Sequence, residues 1–385
     1  MIKEVDHDMF ASGIAAKEEE HRITTTAADG IEEFCPSQYC TPRADVAYGE
    51  YTHGTYYSET CKRERGYCIL LPASYSAAGK YPVLYMLHGI FGDEYSFSRD
   101  PENRIREIVG NMAADGLIED TIIVCPDMYA SADPEQKPGF DEESVLPYDN
   151  FINDLVDDLM PHIEKEYAAG HGRENTYLAG FSMGGRETIY IVLKRPELFA
   201  YACAISSAPG VVPAKDRFMT HRGMLAESEM KFAEDAVEPE SFILCCGTND
   251  SIVGEYPKSY HEILKANGAA HIWYEVSGAD HDNNAVRSGI YNLFSQISRH
   301  KFGRIMEMEA IFDKAEALAA ADVAELREYE PMIRKLEEYY EGPLWKEDFE
   351  ADEAGRLPAK LKRGVLSEDG VYNLLEKIDI RLRGQ

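Results

Sequence analysis

Ser182 stands in the segment Thr176-Tyr-Leu-Ala-Gly180-Phe-Ser182-Met-Gly184-Gly-Arg186, where an apolar run gives way to a helical pattern. A sharp strand-to-helix turn at such a junction raises the serine Oγ above a sheet, and glycines at 180 and 184 keep side chains out of the space where strand and helix approach. An alcohol attacks poorly at neutral pH, so a serine placed this way needs a base to take its proton and an acid to orient that base. Two downstream segments, Phe242-Ile-Leu-Cys-Cys-Gly-Thr-Asn-Asp250 and His271-Ile-Trp-Tyr-Glu-Val-Ser-Gly-Ala-Asp-His281, each run from an apolar strand pattern into a polar loop. Asp250 and His281 thus fall just past strand C-termini, where sites form in open α/β sheets. His261 and His271 are rival bases, but His261 lies in a helical pattern and His271 opens a strand. Asp280 and Asp282 adjoin His281 and are read as loop-forming or solvated, because immediate neighbours rarely present both side chains to one point.

Attack on an acyl carbon develops charge on its oxygen, and each preorganised donor aimed there is worth roughly 2.7 to 4 kcal/mol. The backbone N–H of Met183 supplies one donor. The second is sought after an early strand, in Val83-Leu-Tyr-Met-Leu-His88-Gly89-Ile90-Phe91-Gly92. The Ile90 N–H is chosen, with Phe91 as the alternative, and His88 is read as bracing the turn.

Short apolar runs at Val83 to Leu87, Thr121 to Cys125, Thr176 to Ala179, Tyr201 to Ile205, Phe242 to Cys246 and His271 to Val276 read as buried strands. Tyr48 to Leu71 alternates aromatic and polar residues, as antiparallel edge strands do. Between the buried runs lie helical patterns at Asn103 to Ala114, Asn150 to Tyr167, Arg186 to Arg195, Ser259 to Asn267 and Asn284 to His300. Strand and helix in alternation predict an α/β fold, with a mostly parallel sheet covered on both faces. After about Lys301 the strands stop, and Met306 to Ala321, Val323 to Tyr340 and Val371 to Leu382 give helices alone. The reading therefore divides the chain into an N-terminal extension (1–47), a catalytic domain (48–302) and an all-helical domain (303–385). The spaced acidic and aromatic residues of Leu336 to Trp345 are read as a packing face.

Acidic residues outnumber Lys and Arg by 69 to 39 in the 385-residue chain, a formal net charge of −30. Such a field repels phosphate backbones and anionic membranes, which argues against nucleic acid and membrane surfaces as partners. No stretch approaches the ~20 apolar residues of a membrane span, and Met1 to Glu20 lack a signal pattern, so a cytoplasmic location is expected. Of eight cysteines, Cys125, Cys203, Cys245 and Cys246 lie in core-strand patterns and behave as small hydrophobes. Cys35 with Cys40 and Cys61 with Cys68 could pair in an oxidising compartment, but reduced thiols are expected. The cysteines also lack the close spacing with histidine that zinc prefers.

HGIFGDE, GFSMGG, the CGTND loop and SGADHDNNAVRSGIYNLF together resemble the esterase family that includes feruloyl esterases, acetyl xylan esterases and esterase-D-like enzymes. The resemblance covers about Tyr51 to Phe302. It implies the α/β-hydrolase fold and a cofactor-independent, metal-free carboxylic ester hydrolase whose triad maps onto Ser182, Asp250 and His281. The stretch YYSETCKRERGYCILLPASY is most similar to the feruloyl-esterase branch, which makes a small-molecule or oligosaccharide ester from plant cell walls the expected substrate. Acetyl xylan ester hydrolysis, acyl transfer or siderophore-ester hydrolysis on the same triad are the alternatives, and an idle binding scaffold is disfavoured by the intact Ser, Asp, His order. Family members often carry an aromatic residue soon after the histidine, whereas Asp282, Asn283 and Asn284 follow here. The tail resembles a small bacterial helical domain of unknown function, which could serve as a surface for a second copy or a protein partner.

Overall fold

In the computed structural model, residues 30–320 and 323–383 are described. Most of the polar N-terminal extension lies outside them, but its last part straps the catalytic body. There Asn111 donates through Nδ2 to the Tyr39 and Thr41 carbonyls at 2.8 and 3.0 Å.

Eight strands form one sheet. They are β1 (Tyr51–Ser58), β2 (Arg63–Leu70), β3 (Val83–Leu87), β4 (Ile122–Pro126), β5 (Thr176–Phe181), β6 (Tyr201–Ile205), β7 (Ser241–Gly247) and β8 (Ile272–Val276). Their spatial order is β1-β2-β4-β3-β5-β6-β7-β8. The β1/β2 and β2/β4 pairs are antiparallel, and every other pair is parallel. The expected buried runs and antiparallel edge are thus found in place.

Along each strand side chains alternate between two apolar layers. Leu178 of β5 faces one layer, which is completed by α2 (Glu142–Asp149), α3 (Met160–Glu166), α4 (Met183–Lys194) and α5 (Tyr256–Ala266). Tyr177 and Ala179 face the other, closed by α1 (Ile105–Ala114) and the first half of α6 (Asn283–Ala320). Cys61, in the turn between β1 and β2, lies in the first layer and Cys68 of β2 in the second. A bond between those two would have to cross the sheet.

The sequence reading ends one helix at His300 and begins another at Met306, but α6 runs through both without a break for 38 residues. Gly303 is tolerated there because the helix is anchored on either side. Leu293, Phe294 and Ile297 sit in the layer under the sheet, while Phe302, Ile305 and Met308 begin a third apolar cluster. That cluster is built with α7 (Val323–Glu328), α8 (Glu330–Tyr340), α9 (Pro343–Glu353) and α10 (Glu368–Arg383). The sequence reading misses α9, whose start is marked by Pro343 at the first helical position, where a missing N–H costs nothing. The Leu336 to Trp345 face packs into this cluster, and the Trp345 indole N–H donates to the Val365 carbonyl at 2.9 Å.

Candidate active site

The turn from β5 into α4 holds Ser182 at φ 59°, ψ −114°, a conformation that L residues rarely adopt. Residues held this way are maintained by their surroundings. Here the Ser182 N–H donates to the Ile205 carbonyl at 2.9 Å, and its own carbonyl accepts from the N–H groups of Arg186 and Ala208 at 3.0 and 2.9 Å. The two expected glycines are required by space. A Cβ on Gly180 would lie 2.1 Å from the Gly184 carbonyl oxygen, and one on Gly184 would lie 2.2 Å from that of Leu87. Gly185 is a third, missed in sequence: its Cβ would meet the Ile205 carbonyl oxygen and Ser207 Oγ, each at 2.8 Å. Gly184→Ala is therefore expected to lower stability by about 3 kcal/mol, since backbone rather than a flexible side chain must give way. Urea unfolding would measure it, and an unchanged midpoint would contradict this packing.

Asp250 follows β7 and His281 follows β8, two strands that pair in parallel register. Their loops meet, and His281 Nδ1 lies 2.9 Å from Asp250 Oδ2. The other oxygen, Oδ1, accepts the N–H groups of Ile252 and Val253 at 3.1 and 3.0 Å. Burial pushes this carboxyl up, but the bonds from His281 and the Val253 N–H outweigh it and hold Asp250 below the usual carboxylate range. The His281 ring rests on the Phe181 ring, with centroids 4.4 Å apart, which brings it beside the nucleophile turn. With Nδ1 bonded to Asp250, Nε2 is the ring nitrogen that remains available for proton transfer.

The rival bases lie elsewhere. His261 on α5 and His271 ahead of β8 bond to each other, Nδ1 to Nε2, at 2.8 Å, and His261 stacks on Trp273. Asp280 turns its carboxylate to the Ser251 N–H and hydroxyl, and Asp282 bonds to the Asn284 N–H. Neither makes the contact with the His281 ring that Asp250 makes.

After β3, residues 89–92 form a turn closed by the Gly92 N–H donating to the Gly89 carbonyl at 3.1 Å. Phe91 takes φ 63° at its third position, the left-handed value a type II turn demands. This turn abuts the nucleophile, for a Cβ on Gly89 would stand 3.4 Å from Ser182 Cβ. The Phe91 N–H already donates to the Tyr148 hydroxyl at 3.2 Å, so of the two candidate donors it is the one already engaged. His88 is buried with both ring nitrogens occupied: Nδ1 bonds the Gly89 carbonyl at 2.7 Å, and Nε2 accepts the Met128 N–H at 3.0 Å. On the other side, Met183 opens α4, so its N–H has no acceptor within the helix.

Sequence reasoning also misses an aromatic rim. Phe91, Phe140 and Phe218 come from three separate segments and are 54, 45 and 41% exposed. They nonetheless touch in series, Phe91 edge-on to Phe140 at 5.1 Å and Phe140 stacked on Phe218 at 4.6 Å. No local periodicity signals such a group, because each member sits alone in a loop.

Residues 58–287 match the family described as "Putative esterase", and residues 305–380 match a domain of unknown function. A ferulic acid esterase from Anaeromyces mucronatus, solved with ferulic acid, is 42% identical, with a TM-score of 0.65 over 69% of this chain and 98% of that one. An endo-1,4-beta-xylanase/feruloyl esterase from Xylanibacter ruminicola is 32% identical over 164 residues, 41% of this chain and 22% of that one. Ethanol acetyltransferase 1 of Hanseniaspora uvarum is 27% identical over 143 residues, 36% of this chain and 35% of that one. The chain thus spans little more than a third, at most, of these two curated relatives but nearly all of the solved one. A family match over more than half the chain, laid on a mostly parallel sheet with an antiparallel edge, shows that this chain belongs to the esterase family of α/β-hydrolases and is a carboxylic ester hydrolase.

Proposed function

We propose that the chain hydrolyses feruloyl and related hydroxycinnamoyl esters of plant cell-wall material through an acyl-enzyme on Ser182. Ser182 Oγ attacks the ester carbonyl carbon as its proton passes to His281 Nε2, and Asp250 stabilises the imidazolium through Nδ1. The N–H groups of Ile90 and Met183 receive the oxyanion. The C–O bond to the leaving alcohol breaks, and that alcohol takes the proton from His281. Water, deprotonated by the same imidazole, then attacks the acyl carbon, the bond to Ser182 Oγ breaks as the imidazolium returns that proton to Oγ, and the acid is released. No cofactor enters these steps.

The observation that carries the aromatic part of this reading is the Phe91, Phe140 and Phe218 rim. Exposed phenylalanines in mutual contact, the first of them in the turn that abuts Ser182, offer faces and edges to a substrate ring. A reducing, cytoplasmic compartment fits this reading, since six of the eight cysteines are buried as free thiols. The test is a panel of methyl ferulate, acetyl and longer acyl esters. Methyl ferulate is expected to have the highest kcat/KM by at least tenfold, about 1.4 kcal/mol in the transition state. Preference for acetyl or longer acyl groups by that margin would replace the feruloyl assignment while leaving the triad in place.

A further inference from the structure

Asp280 precedes the base by one residue, and its carboxylate points toward the neighbouring loop. Its Oδ1 accepts the Ser251 N–H at 2.7 Å, the Ser251 hydroxyl at 2.9 Å and the His281 N–H at 2.8 Å. Ser251 directly follows Asp250. One oxygen thus ties the residue after the proposed acid to the backbone of the proposed base. We infer that Asp280 is a positioning residue, a staple between the β7 and β8 exit loops that sets the separation of Asp250 from the His281 imidazole. The inference rests on the triad reading above.

Further back, the same two loops are joined by backbone and by Thr248. The Thr248 N–H donates to Val276 O at 3.0 Å, the Asn249 N–H to Ala279 O at 3.0 Å, and the Gly278 N–H to Thr248 Oγ1 at 2.8 Å. They align the loop bases, whereas the Asp280 bonds lie at the end where proton transfer takes place. The N–H groups of Ser251 and His281 hold the Asp280 carboxyl below the usual range, so it accepts as an anion at neutral pH. Asp280 is exposed, so its worth lies in placement rather than burial. A misplacement of about 1 Å costs on the order of 100-fold in a positioned reaction.

The variants separate this role from others. Asp280→Ala removes all three bonds and is expected to lower kcat on p-nitrophenyl acetate by about 10- to 100-fold, with KM changed by no more than about twofold. Asp280→Asn keeps an oxygen for the same donors and is expected to stay within about threefold of the parent, whereas loss of a true catalytic acid would be far larger. Ser251→Ala, which removes only the hydroxyl bond, should cost a few-fold in kcat. On an Asp250→Asn background Asp280→Ala should add almost nothing, because both act through one imidazole. Parent-like kcat in Asp280→Ala with no loss in Ser251→Ala would overturn the staple. So would an Asn variant as damaged as Ala, or full additivity with Asp250→Asn. An active Ser182→Ala enzyme would instead refute the triad itself, so the two failures are distinguishable.

Discussion

Ser182→Ala is expected to lower kcat on methyl ferulate by about a million-fold while leaving the protein folded, as loss of the nucleophile does in comparable triads. Alanine carries the same Cβ into the same left-handed conformation, so the turn that holds φ at 59° loses no backbone bond. The substitution therefore removes chemistry and spares architecture. Methyl ferulate turnover and the stopped-flow p-nitrophenol burst from p-nitrophenyl acetate check the first half, since no acyl-enzyme can accumulate without Oγ. Thermal melting checks the second. Turnover within tenfold of the parent would remove Ser182 from the mechanism.

Asp250→Asn should cost up to roughly ten-thousand-fold, for a different reason. Oδ1 of Asp250 accepts two backbone N–H groups, so an asparagine keeps its own oxygen there and turns its amide nitrogen toward His281 Nδ1. That NH2 donates, which forces Nδ1 to be the acceptor and leaves the proton on Nε2. A ring in that tautomer has no lone pair for the Ser182 proton. Saturation kinetics should show the loss in kcat with KM little changed, and melting should show the fold retained. If Asp282→Asn were crippled and Asp250→Asn were active, the acid would have to be reassigned.

Much of this is legible in the sequence because the signals are local. The glycine-flanked serine between an apolar run and a helical pattern specifies a steric situation, and β7 and β8 announce themselves as short apolar runs that end in polar loops. The reading of His88 as a brace follows the same logic, and the structure gives both of its nitrogens backbone partners. What stayed hidden depends on tertiary neighbours. Gly185 is required by β6, which approaches from elsewhere in the chain. The phenylalanine rim is assembled from three loops. The unbroken course of α6 was hidden by Gly303 and by a change of composition at Lys301, which marks where one apolar cluster yields to another rather than where the helix stops.

That helix begins two residues after His281 and extends for 38 residues, about 57 Å at 1.5 Å per residue. Its register acts like the keying of a shaft. Inserting one residue near Gly303 would turn everything beyond it by about 100° and advance it by about 1.5 Å, whereas a flexible linker would absorb the change unnoticed. Tolerance to inserted residues at this point should therefore be periodic, easing near whole turns and failing between them. Any joining of these two parts within a single reading frame had to satisfy rotation as well as length.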